Sequence, residues 1–325
     1  MTPVHHDCDV LVIGSGAGGA TTAATLAEAG LDVLIVEEGP WVDQGTVTPF
    51  SLEQMDRQDR SGGVPVALGL PAIAYTEGRC AGGGTEVNSG LYRRPPEGTL
   101  ERWRDEYRID DFSVGDLLTI CEEVEADLSV QTVPGAHTPA SDILSRGAER
   151  LGWDHDEIPR WMTYRNGGNA TDGQRQSMTR TYLPRALAAG ARLLCDHRLE
   201  QIERSGSRAV RARLTATAEG TDRPVIVSFR DVIVCGGAIQ TPAILQRSRW
   251  RHRVGRTLAV HPTVKLAARF ADEVNTPDDV SVVQVKEFAP NISFGGSASH
   301  PGLVALALTD NWRAFGITGG ARPVD

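Results

Sequence analysis

Lysine is almost absent from this chain: Lys265 and Lys286 are the only two, and every other basic residue among the 33 is arginine. The bias reads as coding composition rather than as an arginine-lined site. Acids outnumber bases, 42 to 33, for a net charge of −9, which argues against a nucleic-acid backbone or an anionic membrane as the main partner. Cysteine is sparse too. Cys8, Cys80, Cys121, Cys195 and Cys235 are odd in number, widely spaced and without a CxxC pair, which excludes a disulfide framework or a zinc site. No apolar run reaches membrane-spanning length, and residues 1–7 are too short and polar for a secretory signal, so the expectation is a cytoplasmic chain with no membrane span. His5 and His6 read as a solvated tail. With 325 residues, 40% hydrophobic and 23% charged, the chain has material for about two domains.

What is present begins at Asp9. An apolar strand, Val10 to Ile13, runs into Gly14-Ser15-Gly16-Ala17-Gly18-Gly19 and then into a helix rich in alanine. The pattern predicts a dinucleotide-binding turn: Gly14 for the tight turn, Gly16 for backbone approach to a pyrophosphate, and Gly19 for packing of helix on strand. The phosphates of such a ligand sit at the positive helix end. A second apolar run, Val33 to Val36, ends in Glu37, where such units place the acid that binds an adenosine ribose; an acid there favours FAD or NAD over NADP.

Further along, Pro40 to Tyr75 reads as an irregular Gly- and Pro-rich segment of the kind that covers ligands. Ser113 with Asp116 forms a capping box that opens a helix, and Thr138-Pro139 opens another that Gly152 stops. Trp161 to Met178 reads as a polar loop, and a short helix follows around Pro184. Strands are expected at 192–195, 199–202, 210–214, 225–229 and, as a separate buried parallel strand, 231–235. That last strand ends in Gly236-Gly237-Ala238, where small residues let backbone lie beside a bound nucleotide.

A second glycine-rich stretch, Glu77 to Gly90, places Gly82-Gly83-Gly84 ahead of Thr85, Asn88 and Ser89. It offers a run of N–H donors and short polar side chains to an extended ligand. A flexible surface loop has the same composition, so composition alone does not choose.

Taken together and in order, the turn at Gly14 to Gly19, the stretch Gly78-Arg79 through Gly90, and Cys235 to Leu245 resemble the glucose–methanol–choline (GMC) family of FAD-dependent oxidoreductases. Gly255 to Leu258 with His261-Pro262 is similar to that family as well. The resemblance implies an α/β fold: a Rossmann-like FAD-binding domain from 1–100 and 191–262, interleaved with an α+β substrate domain from 101–190 and 263–325. It also implies a cofactor site formed by Gly14, Ser15, Gly16, Ala17, Gly18, Gly19, Glu37, Arg79, Gly82, Gly83, Thr85, Asn88, Ser89, Gly90, Leu199 and Gly236. Within it Leu199 offers backbone to adenine, and residues 82–89 line the diphosphate and isoalloxazine. Family members that tether FAD carry histidine where this chain has Val87, so the flavin is expected to be non-covalent.

Oxidation of an alcohol or sugar CH–OH by hydride transfer to flavin N5 is the implied activity. The family's catalytic pair, a histidine with a second histidine or an asparagine, and the last strand of its FAD domain lie in a C-terminal segment with no counterpart here, so the fold is expected to be incomplete at that end. His261 and His300 read as structural, and no catalytic residue is assigned. A second polypeptide carrying the missing segment is the expected partner; an inactive flavin-binding fragment, or a scaffold or electron carrier, is the alternative, with NAD-dependent dehydrogenation a distant fourth reading. Substrate and electron acceptor are not legible.

Overall fold

The computed structural model describes residues 2–49, 51–70, 72–165, 168–169, 172–218, 223–260, 263, 266, 268, 270–274, 282–289 and 291–296. The chain opens with β1 (Val4–Ile13), α1 (Ala17–Glu28) and β2 (Val33–Val36), and the two strands pair in parallel from Val10↔Val33 to Ile13↔Val36. Parallel strands covered on both faces read as continuous apolar runs, and all four residues of β2 are buried. Helix α1 lies close against them because its inward face is Gly19, Ala20, Ala23, Ala24 and Ala27. Its end is set by Gly30 in the left-handed region (φ 86°). The strand begins well before the apolar run. His5 and His6, expected as a tail, pair with Ile226 and Val227.

Residues 40–90 contribute short elements: α2 (Leu52–Gln58), the hairpin of β3 (Val66–Ala67) and β4 (Ile73–Ala74), and α3 (Gly84–Val87). A helical layer follows with α4 (Glu97–Tyr107) and α5 (Val114–Asp127), the latter opened by the reciprocal Ser113/Asp116 capping box. After β5 (Val130–Gln131) comes α6 (Pro139–Leu151), stopped by Gly152 in the left-handed region. Then β6 (His155–Glu157), β7 (Arg160–Thr163) and β8 (Gln174–Arg175) lead to α7 (Tyr182–Ala188), whose first turn holds Pro184. The expected loop from Trp161 to Met178 thus has strands at both of its sides. Trp161 and Met162 are buried, which gives β7 an apolar reason to pair with β5 and β8.

Next come β9 (Arg192–Leu194), β10 (His197–Ser205), β11 (Arg208–Ala216), β12 (Val225–Val234) and α8 (Gly237–Arg247). They complete a six-stranded sheet in the order β10-β11-β12-β1-β2-β9. The two strands expected at 225–229 and 231–235 are one. Arg230 and Asp231 are exposed but do not break it, because β12 stays in register with β1 from Val225 to Val234. On its other side β12 pairs with β11 only from Val225 to Ser228. A three-stranded sheet, β14 (Phe294–Gly295), β13 (Val283–Val285) and β6, lies apart from the large one. No described helix is long and apolar enough to cross a membrane.

Candidate functional site

Three chain segments meet at the carboxyl end of β1. The first is the glycine turn. Gly14 has φ 96°, and a side-chain carbon there would lie 2.5 Å from the Cys235 carbonyl oxygen, so both conformation and crowding demand glycine. At Gly19 such a carbon would lie 1.8 Å from the Gly14 carbonyl oxygen, which fixes glycine by contact within the turn itself rather than only by packing of helix on strand. Gly16 differs. Its φ is −66°, and the nearest protein atoms to an added carbon are 3.9 Å away, at Gly82 and Gly83. Nothing in the protein requires glycine at that position; the space it leaves open faces a gap between two glycine turns. Beyond it, the first turn of α1, with Ala17, Gly18 and Gly19, has neither a side-chain cap nor an acid, so its N–H groups present a positive end.

Glu37, at the end of β2, is buried, and three donors orient it. Ser15 gives its N–H at 3.0 Å and its hydroxyl at 2.7 Å to Oε2, while Gly39 gives its N–H at 2.9 Å to Oε1. Burial pushes the carboxyl pKa up, and these hydrogen bonds pull it back down. The Ser15 hydroxyl also accepts the Gly82 N–H at 3.1 Å. Ser15 is wholly buried, so its side chain serves as a strut from Glu37 to the second glycine segment.

That second segment is held by close backbone approach and by polar side chains. An added carbon at Gly39 would meet the Arg79 carbonyl at 2.2 Å, and one at Gly78 would meet the Gly83 backbone at 2.6 Å. Gly82 and Gly83 both have positive φ, and an added carbon at Gly83 would lie 3.0 Å from the Gly16 Cα. Thr85 donates its hydroxyl to the Gly82 carbonyl at 2.7 Å and accepts the Met178 N–H at 3.1 Å. Buried Glu86 accepts from the Thr179 hydroxyl (2.8 Å), the Thr179 N–H (3.3 Å) and the Gln44 amide (3.3 Å). Asn88 Oδ1 accepts the Gly90 N–H at 2.9 Å, and the Ser89 carbonyl accepts from Arg160 at 3.2 Å. The Arg79 side chain is turned to Glu38 (3.4 Å), which Arg60 also grips with two hydrogen bonds of 3.0 Å.

The third segment is the turn from β12 into α8. The Cys235 N–H donates to the Ile13 carbonyl at 2.7 Å, Gly236 caps α8, and Gly237 takes φ 78°. Leu199 lies in β10, buried with Leu34 and Val36 in the core on the other side of the sheet from α1, and its carbonyl accepts from Arg247 at 3.0 Å. Burial raises the thiols of Cys8 to about 11 and Cys195 to about 12, and raises Cys80 further, so these three stay protonated and are not nucleophiles. His261 and His300 lie outside the described residues. Gly39, Gly78 and Glu86 had no assigned role in the sequence. The Glu-Glu-Gly-Pro turn after β2 was the available signal for Gly39; burial of Glu86 by a loop ninety residues away left none.

The arrangement as a whole is a strand-turn-helix unit with an uncapped helix end, faced by a second glycine turn. Comparison with known proteins agrees with it. Residues 9–263 match the family model described as GMC oxidoreductase. An uncharacterized GMC-type oxidoreductase of Sinorhizobium fredii is 38% identical over 94% of this chain and 62% of its own length. A long-chain-alcohol oxidase of Arabidopsis thaliana is 26% identical over 91% of this chain and 40% of its own. Among solved structures, an FAD-dependent oxidoreductase from Chaetomium thermophilum superposes with a TM-score of 0.60 at 20% identity, covering 74% of this chain and 47% of that one. The chain thus spans about 40–62% of the length of these curated relatives. Sharing their sequence signature from the first glycine turn to the α8 turn, this chain belongs to the GMC oxidoreductase family.

Proposed function

We propose that these residues form the FAD-binding part of an oxidoreductase that acts on the CH–OH group of an alcohol or sugar. The observation that carries the reading is the open space at Gly16. A glycine that neither its φ nor its neighbours require, set between an uncapped helix end and Gly82-Gly83, is what a bound pyrophosphate would need. Glu37, oriented by Ser15 and Gly39, would hold the ribose, Leu199 would meet adenine, and Asn88 to Gly90 would line the isoalloxazine. Gly236 would lie beside the nucleotide. When bound, the flavin supplies a hydride acceptor for alcohol oxidation. The protein's own contribution is to bind and orient it, and, with Val87 at the tethering position, to do so without a covalent bond. Division of the chain into 1–100 with 191–262 and 101–190 with 263–325 belongs to the same proposal, as does a cytoplasmic location.

A base that takes the hydroxyl proton is assigned to a further polypeptide segment, on this or another chain. The open edge of β12 supports this. Asp231 to Val234 pair with β1 on one side and, among the described residues, with no strand on the other, while Val232, Ile233 and Val234 are only half-buried. An edge of that kind inside a mixed sheet, where β12 leaves antiparallel β11 while it stays paired with parallel β1, is a docking place for another strand.

The test is Gly16→Val. The protein should fold with unchanged circular dichroism and lose at least tenfold in FAD affinity; full flavin occupancy in that variant would overturn the assignment. Acid precipitation should release all flavin, and yellow colour left in the pellet would contradict the non-covalent reading.

A further inference from the structure

At the end of α8 the charge pattern of the chain changes. No acid occurs between Asp231 and Asp272, and Arg247, Arg249, Arg251, Arg253 and Arg256 crowd into this stretch of a chain whose net charge is −9. Arginines elsewhere, such as Arg60, Arg94, Arg185 and Arg192, each face a carboxylate. Among the described residues, none of these five does. Arg247 is anchored by the carbonyls of Leu199 (3.0 Å) and Glu200 (3.2 Å), which hold its guanidinium without cancelling the charge. The loop that carries the other four is fixed at both ends. The Arg249 N–H donates to the Gln246 carbonyl (3.0 Å) and the Trp250 N–H to the Leu245 carbonyl (2.9 Å), the paired bonds that end a helix with a left-handed residue. Glycine is usual there; here Arg249 takes φ 70°, and Arg253 takes φ 57°. Ser248 is buried, its hydroxyl accepting the Ile202 N–H at 2.9 Å, and Trp250 packs against the core that holds Leu199 and Ile202. Gln246 donates to the Val254 carbonyl at 2.8 Å, and a side-chain carbon at Gly255 would lie 2.6 Å from the Gln246 amide nitrogen, so the far end of the loop closes back onto α8. Between the ends lies a pocket of about 410 Å³ lined by Gln246, Arg247, Arg251, Val254, Gly255 and Arg256, within the size range of small-molecule sites.

One cation is enough to serve the negative end of α8. Five without a carboxylate, three of them around one pocket on a fixed loop, are the donor set of an anion site. The forked donors of guanidinium match the oxygens of a phosphate, and several of them together match its double charge. A long polyanion would have to run on over a surface of net negative charge, whereas a single phosphate group fits within the pocket. We propose that this pocket binds the phosphate group of a ligand, at the opposite end of α8 from the Gly236 turn and independently of the flavin reading.

Calorimetric titration of the full chain at fixed ionic strength tests it, with inorganic phosphate and glycerol phosphate as probes and saturating FAD present to fill the glycine turns. One phosphate should bind per chain. Arg251→Gln combined with Arg256→Gln should weaken it at least tenfold with unchanged circular dichroism, since both side chains are exposed. Arg102→Gln combined with Arg108→Gln removes the same charge from exposed arginines that also face no carboxylate among the described residues, and should leave phosphate binding unchanged. Because the two double variants are compared with each other, they locate the site whether or not the chain takes up flavin. Equal loss in both would reduce the effect to net charge and overturn the site, as would absence of binding to the wild type or binding untouched by Arg251→Gln with Arg256→Gln. Co-sedimentation with phosphatidylcholine vesicles, with and without phosphatidic acid, separates the sources of the group. Capture by the phosphatidic acid vesicles alone, lost when Arg251 and Arg256 are replaced, assigns it to a lipid headgroup, and glycerol phosphate binding without vesicle capture assigns it to a soluble ligand. Inorganic phosphate bound while neither ester binds overturns the proposal of a phosphate-bearing ligand.

Discussion

The two glycine turns that face each other at the site are built by opposite means. The turn from Gly14 to Gly19 is held by apolar burial: Val10, Val12, Ala20, Ala23, Ala24, Val33 and Ile35 form one core around it, and only small residues let strand and helix approach. The segment from Gly78 to Gly90 is held by polar side chains from elsewhere, namely Ser15, Thr179, Arg160 and Arg175, with Thr85 and Glu86 as its own anchors. The gap between the two turns therefore has one wall fixed by close packing and one fixed by hydrogen bonds. The packed wall tolerates no added atom at Gly14 or Gly19. The bonded wall tolerates change of shape but not loss of a partner.

Gly19→Ala should break this comparison most severely. The new methyl would lie 1.8 Å from the Gly14 carbonyl oxygen, so the turn must move, and a loss of about 4 kcal/mol or more is expected in denaturant unfolding. A variant within about 1 kcal/mol of the wild type would show that the turn is not rigid.

On the bonded wall, Thr85→Val keeps the shape and removes both hydrogen bonds, leaving the Gly82 carbonyl and the Met178 N–H without that partner. A loss of about 1–3 kcal/mol is expected from the same unfolding curves, well below that of Gly19→Ala.

A pH series separates the walls by another route. Asp59, next to the bonded segment through its bridge to Gly78, is buried, its Oδ1 has no partner among the described residues, and burial raises its pKa from 3.8 to about 6. The folded state thus holds a proton that the unfolded state has already released between pH 4 and 6, so this group's contribution to stability falls as pH rises through that window and is level above it. Asp59→Asn should flatten that decline, raising stability at pH 7 relative to pH 4 by about 1–3 kcal/mol in thermal unfolding followed at both values.

The smallest effect sharpens a related contrast, between helix starts. Helix α5 has its reciprocal cap and α1 has none. Ser113→Ala should cost about 1 kcal/mol, measured by chemical denaturation, and leave flavin binding unchanged.

This contrast also explains what could be read in the sequence. The unit from β1 to β2, with its turn and Glu37, is legible because spacing within thirty residues determines it. The caps of α5 and α6 are legible for the same reason. The struts are not. That Ser15 joins Glu37 to Gly82, or that Glu86 is buried under Thr179, follows from pairings across 22 to 93 residues, which no local pattern records. Extension of β1 back to His5 and His6 has the same cause: two polar residues become a strand because Ile226 and Val227 offer them a partner. Continuity of β12 through Arg230 and Asp231 is likewise imposed by β1.

The strand order sets when the first glycine turn is completed. Strand β1 lies between β2, a few turns of chain away, and β12, from which 220 residues separate it along the chain. The carbonyl that crowds Gly14 belongs to Cys235. During synthesis the first turn therefore emerges early and waits for its last wall until residue 235 has left the ribosome. Closing so long a loop adds an entropic cost that local contacts do not have, and chains dominated by such closures fold slowly. Completion of the first glycine turn is thus a late event in synthesis, reached only once β12 has paired with β1.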